Sequence, residues 1–195
     1  MKLNEISRIQ SGYLSRSSLK ASENGSSFIL QARDIDSELL SYKTDSLARV
    51  EPALSEKDWL LKKDDIVFMS RGARNYSVII NDIPDHTIAA ACFFIIRFNE
   101  KVVLPDYLYW YLNQSPVEEY LHRNSGRGVH MPIVRRQVLE NIEVPVPAME
   151  TQHKIVKLAM LAKEEQNLYV TLAKKRKQFV IQTCLQTIKK DNTTR

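Results

Sequence analysis

The apolar positions of this chain switch between helical and strand spacing and end in a long helical run. Leu3, Ile6 and Ile9 recur at helical spacing, which predicts a helix ending at Gly12. Residues 14–27 are rich in serine and contain Asn24-Gly25, the composition of a loop. Residues 28–33 read as a strand, followed by the acidic turn Asp34-Ile35-Asp36. Residues 37–60 fit neither period and stay unassigned. Lys63-Asp64-Asp65 makes a polar turn into the strand Ile66-Val67-Phe68-Met69. Residues 71–76 form a loop, residues 77–80 resume strand character, and residues 87–98 read as one long apolar strand. Short strands with polar turns predict an α+β domain with a mainly antiparallel or barrel-like sheet and short helices.

Pro105-Asp106 opens a helix carrying Tyr107, Leu108, Trp110, Tyr111 and Leu112, with proline suited to the first turn and aspartate to its positive end. Its aromatic density invites comparison with a DNA-stacking surface, but no basic residue adjoins that face, so the core reading is preferred. Residues 124–130 break the pattern, residues 133–142 are helical, and Val144-Pro145-Val146-Pro147 is extended because each proline biases its predecessor away from helix. From Ala148 to the end there is neither glycine nor proline. About forty residues of helix make a rod of about 60 Å. Ile155, Leu158, Leu161, Ala162, Leu168, Leu172, Phe179 and Ile188 recur near three-and-four spacing along it, a coiled-coil type of seam. The chain offers no second helix of matching length, so self-association through these eight positions is expected, in preference to folding back. The expected organisation is a globular domain over 1–147, the long helix over 148–190 and a polar tail over 191–195.

Charge divides at the same border. The chain carries a net +5, but residues 1–150 hold 18 basic against 20 acidic side chains and residues 151–195 hold 10 against 3. The globular part is therefore slightly acidic, and net charge alone is a weak argument for phosphate binding. No apolar run is long enough for a membrane span, and no apolar segment opens the chain as a signal peptide would. Cys92 and Cys184, far apart in apolar surroundings, read as reduced thiols, so a cytoplasmic location is expected.

Enzyme chemistry finds little support. No acidic residue stands two positions before a lysine, no asparagine precedes a proline, and five glycines supply no phosphate-cradling loop. The four histidines lack metal-ligand spacing with the cysteines. No catalytic residue, metal or cofactor is expected, and a small DNA-processing enzyme is the least favoured class.

The join between domain and rod carries the clearest resemblance. Leu139-Glu140-Asn141-Ile142-Glu143-Val144-Pro145-Val146-Pro147, then Glu150 and Gln152-His153-Lys154-Ile155-Val156, resembles the C-terminal boundary of a target-recognition domain in type I restriction–modification specificity subunits. Other segments match in order. Leu3 through Gly12 is similar to the family's opening, and Asp64-Asp65-Ile66-Val67 resembles its Gly-Asp-Ile-Leu segment, with Asp64 where glycine is usual. Leu104-Pro105-Asp106-Tyr107-Leu108 resembles its aromatic helix, and residues 126–133 its small-residue loop. Ala148 departs from the family's usual second proline, and Thr151 from an acidic residue. Family members commonly carry two recognition domains and two long helices, whereas this chain shows no internal repeat. It resembles half of such a subunit.

The resemblance implies a non-catalytic subunit that binds double-stranded DNA, pairs with itself, docks on a DNA methyltransferase (modification) subunit and leaves a restriction or translocase subunit open. Base edges are read best by arginine on guanine and by asparagine or glutamine on adenine. The residues able to do so are Arg71, Arg74 and Asn75 in one loop, with Tyr76 for phosphate or sugar. Arg123, Arg127 and His130 lie on or beside a second loop, and Gln31 and Arg33 end a strand. Residues 121–139 hold four arginines and no acidic residue, the one basic stretch of the domain; Arg135 and Arg136 are read as covering the last short helix. The alternative is a coiled-coil adaptor for an acidic protein partner, which the rod supports equally well.

Overall fold

The computed structural model describes residues 1–14, 21–22, 24–52, 58–72, 74–99, 101–124 and 133–193, with side chains to Ile188. The chain divides into two compact units, Met1–His153 and Lys154–Arg195. The first is an α+β domain.

Its largest sheet has four antiparallel strands in the order β1-β9-β6-β7, built from Ser7–Ser11, Phe93–Phe98, Ile66–Met69 and Ser77–Ile79. Register is fixed by pairs such as Ile9 with Ile96 and Val67 with both Ile95 and Val78. A second sheet has the order β5-β2-β8, from Ala48–Val50, Ser27–Leu30 and Thr87–Ala89. There β2 runs antiparallel to β5 and parallel to β8. Ile35–Asp36 (β3) and Ser41–Tyr42 (β4) make a small third sheet. Antiparallel pairing thus predominates as expected, and no sheet among the described residues closes into a barrel. Two clusters fill the interior. One joins Leu30, Val67, Val78, Ile80, Phe93 and Ile95; the other joins Tyr13, Ile29, Val50 and Ile88, with Trp59 edge-on to Tyr13.

Three expected elements are corrected. The helix from Leu3 is one turn only, α1 (Leu3–Ile6), and the chain then becomes β1. Ile9 keeps its buried place because β1 pairs along β9, and tertiary pairing outweighs the local period. The apolar run 87–98 is two strands in different sheets, parted at a turn where the Phe93 N–H donates to the Ala90 carbonyl at 3.0 Å. A uniformly apolar run cannot encode such a change of partner. The helix expected over 133–142 is only α4 (Arg136–Glu140), because residues 133 and 134 are drawn into backbone pairing with residues 70 and 71.

The turn before β6 shows why glycine is usual at position 64. Asp64 has φ 69°, a left-handed conformation that costs a side chain energy. Its neighbour Asp65 is buried and receives Arg97 from β9, Nε to Oδ1 at 3.0 Å and Nη2 to Oδ2 at 3.0 Å. Asp65 Oδ2 also accepts the Lys62 N–H at 3.0 Å, so the turn is closed by a satisfied, buried carboxylate.

Helix α2 (Pro105–Leu112) settles the aromatic question in favour of packing. Tyr107 is buried, and its hydroxyl donates to the Pro145 carbonyl at 2.7 Å. Tyr111 donates to the Glu143 carbonyl at 3.1 Å, and on α3 (Ser115–Asn124) Tyr120 donates to Val138 at 3.2 Å. Burial pushes all three phenols above their ordinary range. Tyr107 and Tyr111 hold the extended proline segment, which also bridges Lys2 at Glu143, while Tyr120 holds α4.

That segment leads into α5 (Met149–Thr193). Gln152, on the first turn, is fully buried. Its Oε1 accepts the Leu104 N–H at 2.9 Å, and its Nε2 donates to Pro147 at 2.9 Å and Val102 at 3.2 Å. The uninterrupted helix is the one the absence of glycine and proline predicts. From residue 160 to 188 every side chain is exposed in the single chain. No helix among the described residues is long and apolar enough to cross a membrane.

Candidate nucleic-acid interface

The candidate loop grows directly out of β6. Met69, its last residue, holds both ends: its N–H donates to the Tyr76 carbonyl at 2.8 Å, and its carbonyl accepts Asn75 Nδ2 at 2.8 Å. Asn75 is therefore committed to closing the loop. Tyr76 is buried in the larger core cluster, and burial, then the nearby Cys92, pushes its phenol up. Between these anchors Arg71 and Arg74 are exposed, while Ala73 lies outside the described residues.

Ser70 fastens this loop to two others. Its N–H and its Oγ both donate to the Cys92 carbonyl at 2.8 Å, and its own carbonyl accepts the Val134 N–H at 2.9 Å. Arg71 then forms an antiparallel bridge with Ile133. The connection from α3 to α4 thus ends beside the Arg71 loop. Arg127 and His130, placed on that connection by sequence, lie outside the described residues. Arg123 stands at its other end, on the last turn of α3. It is exposed, with Nη2 3.8 Å from Glu119 Oε2 and Nε donating to the Glu119 carbonyl at 3.2 Å.

The end of β2 joins the same place. Cys92 is half-buried; burial raises its thiol, while the Ala32 backbone bond and the Arg71 guanidinium oppose the rise. One sulfur therefore senses both the residue after Gln31 and the Arg71 side chain. Gln31 precedes a 3-10 turn (Ala32–Asp34), and its N–H donates to Asp34 Oδ2 at 2.8 Å. Asp34 is buried, and Arg33 beside it is exposed, with Nε 3.9 Å from Asp34 Oδ1. Cys92 thus lies near Arg71, Tyr76 and the Ala32 backbone, with Gln31 and Arg33 flanking Ala32 in sequence and Arg74 and Asn75 following Arg71 in its loop. Arg33, Arg71 and Arg74 are the members that reach solvent.

Sequence reasoning missed Ser70 and Cys92, which assemble the site, and assigned Gln152 no task. Ser70 and Cys92 bond across 22 residues, and no local pattern announces such a contact. A signal for Gln152 did exist: a polar residue where the first turn of a long helix meets a domain.

On α5 the eight expected interface positions do not share one face. At about 100° per residue, Leu161, Leu168, Leu172 and Phe179 fall within about 40° of one another. Leu158 flanks them, whereas Ile155, Ala162 and Ile188 lie about 100° or more round the helix. Among the described residues there is no group of three or more potential metal ligands.

Residues 1–159 match the type I restriction modification DNA specificity domain family. The chain is similar to the type I restriction enzyme MjaVIII specificity subunit of Methanocaldococcus jannaschii, at 23% identity over 119 residues, which are 60% of this chain and 26% of that protein. Its fold is similar to the HsdS subunit of Thermoanaerobacter tengcongensis, with TM-score 0.61, 18% identity, and coverage of 88% of this chain and 38% of that one. It is also similar to the type I restriction–modification S subunit of M. genitalium, with TM-score 0.55, 11% identity, and coverage of 84% and 38%. The chain thus spans well under half the length of each of these relatives.

Proposed function

Because this chain belongs to the type I restriction modification DNA specificity domain family, we propose that it is a non-catalytic subunit that reads DNA sequence and directs a DNA methyltransferase subunit to its site. The observation that supports the reading is that Arg33, Arg71 and Arg74 are exposed on two separate loops, and that Cys92 meets both the Ala32 backbone and the Arg71 guanidinium. Guanidinium forks suit bidentate contact with guanine in the major groove. Arg123 and the 125–132 connection supply a second line of contact from the loop that ends beside Arg71. Asn75 and Tyr76 support the reading loop from beneath.

In this reading two copies pair through α5, so the assembly carries two recognition domains and reads two half-sites around an unread gap. Two-fold symmetry then favours a palindromic pair. The slight acidity of residues 1–150 fits a protein that leaves most phosphate neutralisation to its methyltransferase partner. A restriction subunit would join as a further component of the same assembly.

The experiment is reconstitution. Adding this chain to its cognate methyltransferase subunit should produce methylation confined to one sequence; a methyltransferase whose activity is unchanged by the chain would overturn the proposal.

A further inference from the structure

Ile133 and Arg71 are partners in an antiparallel bridge, and the residues that adjoin them bond to each other, Val134 N–H to the Ser70 carbonyl at 2.9 Å. That pattern marks a pair that exchanges no hydrogen bonds of its own. In such a pair the Cα atoms stand about 4.5 Å apart and the side chains project side by side on one face. Burial alternates to match. Ser70 and Val134 are buried, whereas Arg71 and Ile133 are exposed, Ile133 at 54%. Among the described residues of the Met1–His153 unit, the large apolar side chains left exposed are Met1, Leu14, Leu39 and Ile133. A lone exposed isoleucine is common by itself. Of these four, however, only Ile133 is held by paired backbone beside an arginine. Arg135, two residues on, is also exposed and makes no ion pair among the described residues, unlike Arg136, which Glu140 engages at 2.7 Å.

We infer that Ile133 reads a thymine, by packing on its 5-methyl group in the major groove of the DNA that Arg71 contacts. The inference rests on the DNA reading proposed above and adds the base and the atom. The thymine methyl is the apolar group of the major groove, and it stands among acceptors, its own O4 and the N7 and O6 of any neighbouring guanine. An isoleucine with one arginine across the bridge and another along the chain matches that pattern. The cations find acceptors while the branched side chain finds the methyl. Ile133 is stiff at its first torsion, so it gives up little freedom on contact. The bridge also fixes a spacing. The two side chains are rooted about 5 Å apart, and bases stack at about 3.4 Å along a strand. The thymine therefore lies within about two base pairs of the guanine that Arg71 reads.

Uracil lacks only that methyl, so it removes one partner of the contact while Ile133→Ala removes the other. Methylation by the methyltransferase subunit with the full chain is measured on duplexes carrying the mapped target, each thymine replaced by uracil in turn. For the unaltered chain, one replacement should slow methylation at limiting DNA by about three- to tenfold. With Ile133→Ala, thymine and uracil at that position should be equivalent, and Ile133→Val should keep most of the difference. The melting temperature of Ile133→Ala should match that of the unaltered chain, because the backbone bridge is untouched. Two results would overturn the inference and leave sequence reading intact: no thymine whose methyl matters, or a uracil effect that survives Ile133→Ala undiminished. Weakened methyltransferase binding by Ile133→Ala with an unchanged thymine–uracil ratio would likewise overturn it, and make Ile133 a protein contact. Methylation without any sequence preference would overturn both.

Discussion

Arg71 and Ile133 face each other in an antiparallel bridge, so two loops far apart in sequence share one base. The bridge continues a chain of backbone bonds from Cys92 through Ser70 to Val134. A loop anchored on both sides presents its arginines at low entropic cost, which is what discrimination between bases requires. The same chain brings Ala32, and with it Arg33, to the Cys92 sulfur. The arginines are thus exposed, while Ser70, which ties their loop down, is buried.

Gln152 should be among the most sensitive polar positions. Gln152→Ala removes three hydrogen bonds and leaves the Leu104 N–H and two carbonyls, all on half-buried residues, without their partner. A loss of about 2–4 kcal/mol is expected, at about 1–3 kcal/mol per orphaned group with partial relaxation. Urea unfolding followed by circular dichroism reads it. Gln152→Glu should be no milder, because it cannot donate to Val102 and Pro147.

Position 64 should tolerate improvement. Asp64→Gly relieves a left-handed side chain at φ 69° and should raise stability by about 1 kcal/mol. It should also lower the Asp106 pKa, which burial and then Asp64 hold above the ordinary aspartate value. A raised carboxyl pKa favours the fold while the group is protonated. That contribution is complete below the unfolded value of 3.8 and is lost as pH rises through the folded pKa. Asp106→Asn should therefore flatten the decline in stability on the alkaline side of that window, read from melting temperature across acidic pH.

Gly12 admits no side chain. A Cβ there would stand 2.1 Å from the Ala90 carbonyl oxygen and 2.8 Å from that of Ala89, both backbone atoms. Gly12→Ala must push β1 away from the turn between β8 and β9, at a cost above about 2 kcal/mol. A large drop in melting temperature is expected, whereas Gly72→Ala, with its nearest contacts at 3.5 Å, should be tolerated.

The parts legible in sequence were those whose signal is local. The 45-residue long helix follows from a stretch, 148–195, without glycine or proline, α2 from its proline and aspartate, and β6 from a turn and four apolar residues. Strand pairing was less legible. Nothing in residues 88–96 marks where Ile88 leaves for Ile29 and Phe94 for Phe68, because that stretch is apolar throughout. Residue type and loop position single out Arg71 and Arg74 in the sequence, but the bonds that tie their loop to Cys92 and Ile133 span tens of residues and leave no local mark. On the rod, helical spacing alone merged two faces, and only an unbroken helical count separates Leu161 from Ala162.

In the proposed function Arg71 and Arg74 choose the sequence that is methylated. Methylated positions should be mapped by sequencing after reaction of genomic DNA with the methyltransferase subunit and this chain, unaltered or carrying Arg71→Ala and Arg74→Ala. Each arginine on a guanine is worth about 1–3 kcal/mol of discrimination. The unaltered chain should therefore yield one two-part motif. The double variant, folded and in the same oligomeric state as the unaltered chain, should blur or lose at least one base of each half. An unchanged motif at unchanged occupancy would contradict the account.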